Sequence, residues 1–262
     1  MLIDQLDTII LVVMVFLLAG FIKGVIGFGL PTISVSLLTV VLGLEAAMVI
    51  MLLPSLLTNV WQGAMGGHLR YLARRLWPVL IPGVVFTWIT STALTIGPLP
   101  IFVVLLGVAI LTYSGSSLVG LQVPNPGQRE RWLSPLIGSV SGAIGGVTGI
   151  FVMPAVDYLR ALGLSRDQLI QAMGIWFTVA TLSLGSALGH HGLLTDSLGL
   201  LSGVGIVPAF VGMMMGQRLR TRLSPEVFRV VLLSGLCVLG FYFIVTGLVG
   251  NGHGVDCGGP RW

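Results

Sequence analysis

The sequence predicts an all-α polytopic membrane protein made of two inverted five-segment repeats, each with a broken or re-entrant helix near its start. Three observations predict it. The 262 residues are 55% hydrophobic and only 8% charged, where a soluble domain carries about 25% charge. The apolar residues gather in runs of about 20, long enough to cross a bilayer as helices and without the strict alternation of a membrane barrel. A glycine-rich stretch ending in proline also occurs twice, about half a chain apart.

The opening residues MLID lack a basic region and a small-residue cleavage site, so the start reads as a first membrane segment and not as a removable signal. Long runs follow at 8–27, 46–65, 76–96 and 99–118, and in the second half at 135–152, 169–188, 198–216 and 227–248. Two short runs, 31–42 and 154–162, each follow a glycine-rich stretch and open with a proline, which suits the first turn of a new helix. At 1.5 Å per residue the longer one reaches only ~18 Å against a hydrocarbon core of ~30 Å. Each half therefore holds a helix that stops, breaks and restarts.

The first glycine-rich stretch, GFIKGVIGFGLP (20–31), aligns with GAIGGVTGIFVMP (142–154) after one inserted residue. LGLE (42–45) matches LGLS (162–165), and Pro82 matches Pro208. Duplication gives units 1–121 and 135–250, a linker 122–134 containing VPNPGQRERW, and a polar tail 251–262. If every run changes sides, eleven of the thirteen basic residues fall on one face. They are Arg70, Arg74, Arg75, Arg129, Arg131, Arg160, Arg166, Arg218, Arg220, Arg222 and Arg229. That face is the cytoplasmic one by the positive-inside rule, so the halves are inverted and both termini are non-cytoplasmic. A single crossing at 135–162 would put Arg160 and Arg166 outside. Re-entrant hairpins fit the charges equally well.

Backbone groups freed by a break must find partners in protein or in a water-filled cavity. Interrupted segments at matching places in inverted halves point to a midplane binding site. The restarted helices present unpaired N–H groups and a partial positive charge, which favour an anion. Lys23, the only lysine, adds a full charge before the first break. The expected anion site joins Lys23, Gly24, Gly27, Phe28 and Gly29 to Gly145, Gly146, Thr148 and Gly149. Asn59, Trp61, Gln62, Gln171, Trp176, Thr178 and Thr181 are the further polar groups at that depth.

Each of these has a plainer reading. The glycines let helix backbones approach, and Lys23 snorkels toward the headgroups. Asp157 is a candidate for proton coupling, or the partner of Arg160 in an interfacial ion pair at helical spacing. Trp77 and Trp132 stand at run ends as interface anchors. Pro54, Pro82 and Pro208 kink their helices. His190 and His191 lie in a loop with Asp196, without the pattern of a metal site, and Cys237 and Cys257 form no C-x-x-C pair. GSVSG (138–142) has Val140 where a G-x-S-x-G motif needs serine. No zinc-protease, phosphate-loop or heme-spaced histidine motif is present, so neither an enzyme nor a cofactor is expected.

AGFIKGVIGFGLPTI and GSVSGAIGGVTGIFVMP resemble the duplicated glycine-rich signature of the TauE/SafE family, sulfite exporters also called toluene-sulfonate uptake permeases. GMMMGQRLRTRLSPEVFRVVLLSGLCVLG (212–240) is similar to that family's C-terminal pattern. The second half, GGVTGIFVMP, carries fewer glycines than the family often shows there. The resemblance implies a secondary transporter of a small sulfur-containing anion (sulfite, sulfoacetate or another organosulfonate) in a bacterial cytoplasmic membrane. A passive anion channel and a non-transporting scaffold are the alternatives. The partners expected are that anion and the bilayer, with a homo-oligomer allowed and nucleic acid excluded.

Overall fold

The computed structural model describes residues 5–121, 123–220 and 225–252, which form helices and turns with no strand among them. The first half comprises α1 (Gln5–Ile26), α2 (Leu30–Leu42), α3 (Leu44–Ile50), α4 (Leu52–Ala64), α5 (Leu69–Ser91), α6 (Ala93–Ile96) and α7 (Leu99–Val119). The second comprises α8 (Glu130–Thr148), α9 (Ala155–Ala161), α10 (Arg166–His190), α11 (Asp196–Val204), α12 (Ile206–Leu219) and α13 (Pro225–Gly252). Among the described residues six stretches are long and apolar enough to span a bilayer: α1, α5–α6, α7, α10, α11–α12 and α13. The bent pair α3–α4, angled by 41°, makes a seventh. The chain is an integral membrane protein.

Two boundaries depart from the sequence reading. The run expected at 135–152 is α8, which begins at Glu130 inside the expected linker and is not among those spans. Its glycines face α5 backbone instead of lipid, so it needs fewer apolar side chains. The expected tail begins at 251, yet α13 continues to Gly252. The rest of that tail, with Cys257 and Arg261, and also Arg222, lie outside the described residues.

Proline placement explains two further helix ends. A proline cannot bond the carbonyl four residues back. For Pro54 that residue is Ile50, where α3 ends, and for Pro208 it is Val204, where α11 ends. Pro82, expected to act alike, sits with Pro78 inside an unbroken α5.

The first long-short break follows the same logic. Gly27 and Gly29 adopt φ of 98° and 102°, open to glycine and strained for other residues. Pro31 cannot bond the Gly27 carbonyl, which instead accepts from Gln62 Nε2 at 2.9 Å. The second break is a buried stretch without regular secondary structure through Ile150, Phe151 and Val152. Phe151 O accepts from Trp176 Nε1 at 2.9 Å, so irregular backbone at this depth is satisfied by protein. The helices that resume are 13 and 7 residues long, about 20 and 10 Å, too short to span as helices.

The long helices pack in four principal pairs: α1 with α12, α5 with α8, α4 with α10, and α7 with α13. Small residues set these crossings. A Cβ on Gly24 would lie 2.2 Å from Met213 O, one on Gly142 2.2 Å from Gly83 O, and one on Gly174 2.4 Å from Gly63 N.

Several arginines gather at one end of the bundle. Arg75 pairs with Glu130 at 2.9 Å and donates to Leu162 O at 3.1 Å, tying the starts of α5 and α8 to the end of α9. Arg229 donates to Ser117 O at 2.6 Å, tying α13 to the end of α7. The chain from α8 through α9 thus returns to the end where it began, as the charge argument required for Arg160 and Arg166. Trp77 and Trp132 are exposed, as interface anchors are expected to be.

Candidate functional site

Lys23 sits in the last turn of α1 and is 2% exposed, so it does not snorkel. Its Nζ donates to Thr58 Oγ1 at 3.0 Å and to Asn59 Oδ1. One turn on, Gly27 meets Gln62, so α1 and α4 present matching faces: Lys23 and Gly27 against Thr58, Asn59 and Gln62. The Thr58 hydroxyl donates to Pro54 O at 2.7 Å, leaving its lone pairs for lysine. Both partners of the lysine are neutral. Asn59 is 1% exposed, and its Nδ2, fixed as nitrogen because Oδ1 faces the donor, has no partner.

A cavity of about 330 Å³ opens beside this cluster at the arginine-rich end of the bundle. Lys23 and Gly24 line it from α1, Gly27 from the break that follows, and Trp61 and Gln62 from α4, so five expected site residues share the lining. Asp167 and Ile170 of α10, Met213 and Gln217 of α12 and Arg220 at its C-terminal end complete the lining. Burial, and then the neighbouring Arg166, push the Arg220 guanidinium below its usual pKa. Arg220 thus brings positive charge to a lining that also holds Asp167, with Arg166 close enough to act on it, and positive charge there favours an incoming anion.

Phe28 and Gly29 stand just beyond this lining. Gly29 caps α2 without any side-chain bond, and Thr32 in the first turn keeps a buried hydroxyl with no partner. Phe28 packs against Tyr113 at 6.4 Å and under the Arg160 guanidinium at 5.1 Å. Arg160 pairs with Asp157 at 3.3 Å, the ion pair that the spacing suggested. Asp157, Arg160 and Arg229 line a separate hollow of about 360 Å³.

The second glycine-rich lobe is not among the residues lining the Lys23 cavity. Gly145 gives room to the Phe151 ring, and Gly146 packs against Thr87 and Thr90. Thr148 donates to Ile144 O at 2.7 Å and accepts from Ile150 N at 3.2 Å, while Gly149 ends α8 with φ 72°. Trp176 holds Phe151 O, and Thr178 donates to its own helix at Gly174 O. Thr181 is buried with an unpartnered hydroxyl. Gln171 clamps the α4–α5 turn, donating to Gly63 O at 2.9 Å and accepting from His68 N at 3.0 Å. Gln62 spends both amide hydrogens on Gly27 O and Ile170 O, so only its carbonyl oxygen remains.

Sequence reasoning missed Thr58, Asp167, Ile170, Met213 and Gln217 as neighbours of Lys23, and read Arg220 only as an orientation charge. One signal pointed there. Gly212 and Gly216 lie in GMMMGQRLR at the four-residue spacing of a close helix crossing, and they meet Leu17 O and Phe21 O of α1.

The family model for the sulfite exporter TauE/SafE matches residues 12–243, which include every residue of the cavity. Comparison with curated proteins and with solved structures gives no match.

Proposed function

Since the chain belongs to the sulfite exporter TauE/SafE family, we propose that it is a secondary transporter of a small sulfur-containing anion such as sulfite, sulfoacetate or another organosulfonate. The observation that carries this reading is Lys23: a buried amino group on the wall of a cavity, hydrogen-bonded only to neutral groups among the described residues. An isolated buried charge is costly, and a bound anion supplies the missing counter-charge. The Asn59 Nδ2 and the uncapped first turn of α2 offer further donors nearby. Trp61, Met65, Ile170 and Met213 supply apolar lining that suits the organic part of a sulfonate.

Two inverted five-segment repeats, bounded at 1–121 and 135–250, are the architecture in which this site works. The packing supports that reading. In repeat terms the first segment of each half packs on the fourth of the other, while third pairs with third and fifth with fifth. A two-fold relation between halves generates such an exchange. In this reading Arg75, Arg160, Arg166, Arg220 and Arg229 are cytoplasmic, both termini are not, and the cavity opens to the cytoplasm. Rocking one repeat against the other then exposes the anion alternately.

The test is counterflow in proteoliposomes. Vesicles loaded with unlabelled sulfite or toluenesulfonate should accumulate the labelled anion transiently, and Lys23→Gln should abolish it at normal expression. Wild-type counterflow in Lys23→Gln removes the site, and flux without counterflow replaces the transporter by a channel.

A further inference from the structure

A hydrogen count around Lys23 leads beyond the binding reading. A neutral amine has two N–H groups, and Thr58 Oγ1 and Asn59 Oδ1 accept two. A protonated amine has a third, for which the described residues provide no acceptor. The neutral form is therefore satisfied by protein alone, and the charged form needs a further acceptor from the cavity, a place that an anion fills with counter-charge and water does not.

The charged groups around Lys23 do not remove this requirement. From α10, Asp167 lines the same cavity, but it makes no ion pair with Lys23. From beside α12, Arg220 adds positive charge, with Arg166 of α10 next to it. Both arginines oppose a second cation. α4 and α2 carry no ionisable side chain at all. α13 approaches α1 through Phe228 and Phe21, while its Arg229 is engaged with Ser117 O. The field at Lys23 is thus neutral to positive until an anion arrives.

We propose that Lys23 is the proton carrier of transport, taking up one proton with each monoanion and releasing both together on the far side. This rests on the anion-transport reading above. The step balances as lysine amine plus a proton from water plus anion giving an ammonium–anion pair. The new N–H bond uses the nitrogen lone pair, and the third hydrogen points to the anion in place of a protein acceptor. The loaded site is then electrically neutral, so its passage moves no net charge. Asp157, already paired with Arg160, is the rival carrier.

Toluenesulfonate and methanesulfonate are suitable probes because both stay ionised across the working pH range, so any proton taken up goes to the protein. Full-length protein in weakly buffered detergent is mixed with each probe, and pH change and bound anion are recorded. The expected result is close to one proton per anion at a pH where the free lysine is neutral. Affinity should then fall about tenfold for each further unit of pH. Lys23→Arg, whose guanidinium is always charged, should bind with neither proton uptake nor that pH dependence. In vesicles, wild-type flux should follow a pH gradient and ignore an imposed potential.

Anion binding without proton uptake in wild type overturns the carrier role and leaves the anion site standing. Proton uptake that persists in Lys23→Arg but vanishes in Asp157→Asn assigns the carrier to Asp157 and equally overturns it. Absence of binding by any probe or by sulfite at any pH removes the transport reading itself.

Discussion

The seating of Lys23 depends on how closely α1 approaches α12, and one methyl group probes it. In Gly24→Ala the new Cβ would lie 2.2 Å from Met213 O, 2.9 Å from Gln217 N and 2.9 Å from the Gly216 Cα. A carbon approaches a carbonyl oxygen to about 3.3 Å at best, so the helices must separate by about 1 Å. None of the three atoms belongs to a side chain that can turn away. Overpacking of this kind costs about 2 kcal/mol, a fall of about 4–8 °C in Tm for a chain of this length. The same change also draws Met213 and Gln217 away from the cavity wall they share with Lys23. Gly115→Ala is the internal control: it lies within α7, and nothing stands within 4 Å of the new Cβ. Better helix propensity should there raise stability by up to about 1 kcal/mol. Thermal unfolding of both variants in one detergent reads the opposite signs. A wild-type Tm for Gly24→Ala, or equal falls for both, refutes the close crossing and the cavity wall built on it.

Other consequences concern the groups that hold irregular backbone at membrane depth. Trp176→Phe keeps an aromatic ring but removes the N–H that holds the buried Phe151 carbonyl and part of the buried ring volume, so stability in detergent should drop by at least about 1–3 kcal/mol. Gln171→Leu leaves both Gly63 O and His68 N without their partner, and its loss should exceed that of Trp176→Phe in the same thermal assay. Arg75 and Glu130 make a bidentate pair, with Nε to Oε1 and Nη2 to Oε2 both at 2.9 Å. Both side chains are partly exposed, so a double-mutant cycle should give about 1 kcal/mol of coupling, reduced by added salt.

Much of this architecture was legible because it rests on residues with few conformational options. Gly27, Gly29, Pro31 and Pro154 leave the chain little alternative to breaking where it does, and the arginines mark the end to which α9 returns. The lysine stood out because an ammonium in an apolar run needs a reason. Its reason was not legible. Thr58 and Asn59 come within reach only because α4 runs alongside α1, and single-sequence periodicity does not encode which helices become neighbours. Glycines were ambiguous for the same cause: Gly24 lines a cavity and also sits on a backbone crossing, whereas Gly145 and Gly146 give room to Phe151 and Thr90. The start of α8 was hidden by its charges, since Glu130 belongs to an interfacial first turn and pairs with Arg75, while hydropathy registers only the apolar length behind it.

The most direct test of the central claim is anion-dependent thermal stabilisation of the purified protein, wild type beside Lys23→Gln, against sulfite, sulfate, thiosulfate, taurine, sulfoacetate, toluenesulfonate and chloride. A ligand that binds only the folded state stabilises it by RT ln(1 + [L]/Kd), about 2.7 kcal/mol at a hundredfold excess over Kd. The cavity at Lys23 predicts a concentration-dependent rise in Tm with at least one sulfur oxyanion in wild type and none with the same anion in Lys23→Gln. Equal stabilisation of both proteins would contradict the account by moving the anion away from Lys23, and stabilisation of neither would remove the anion from the proposed function.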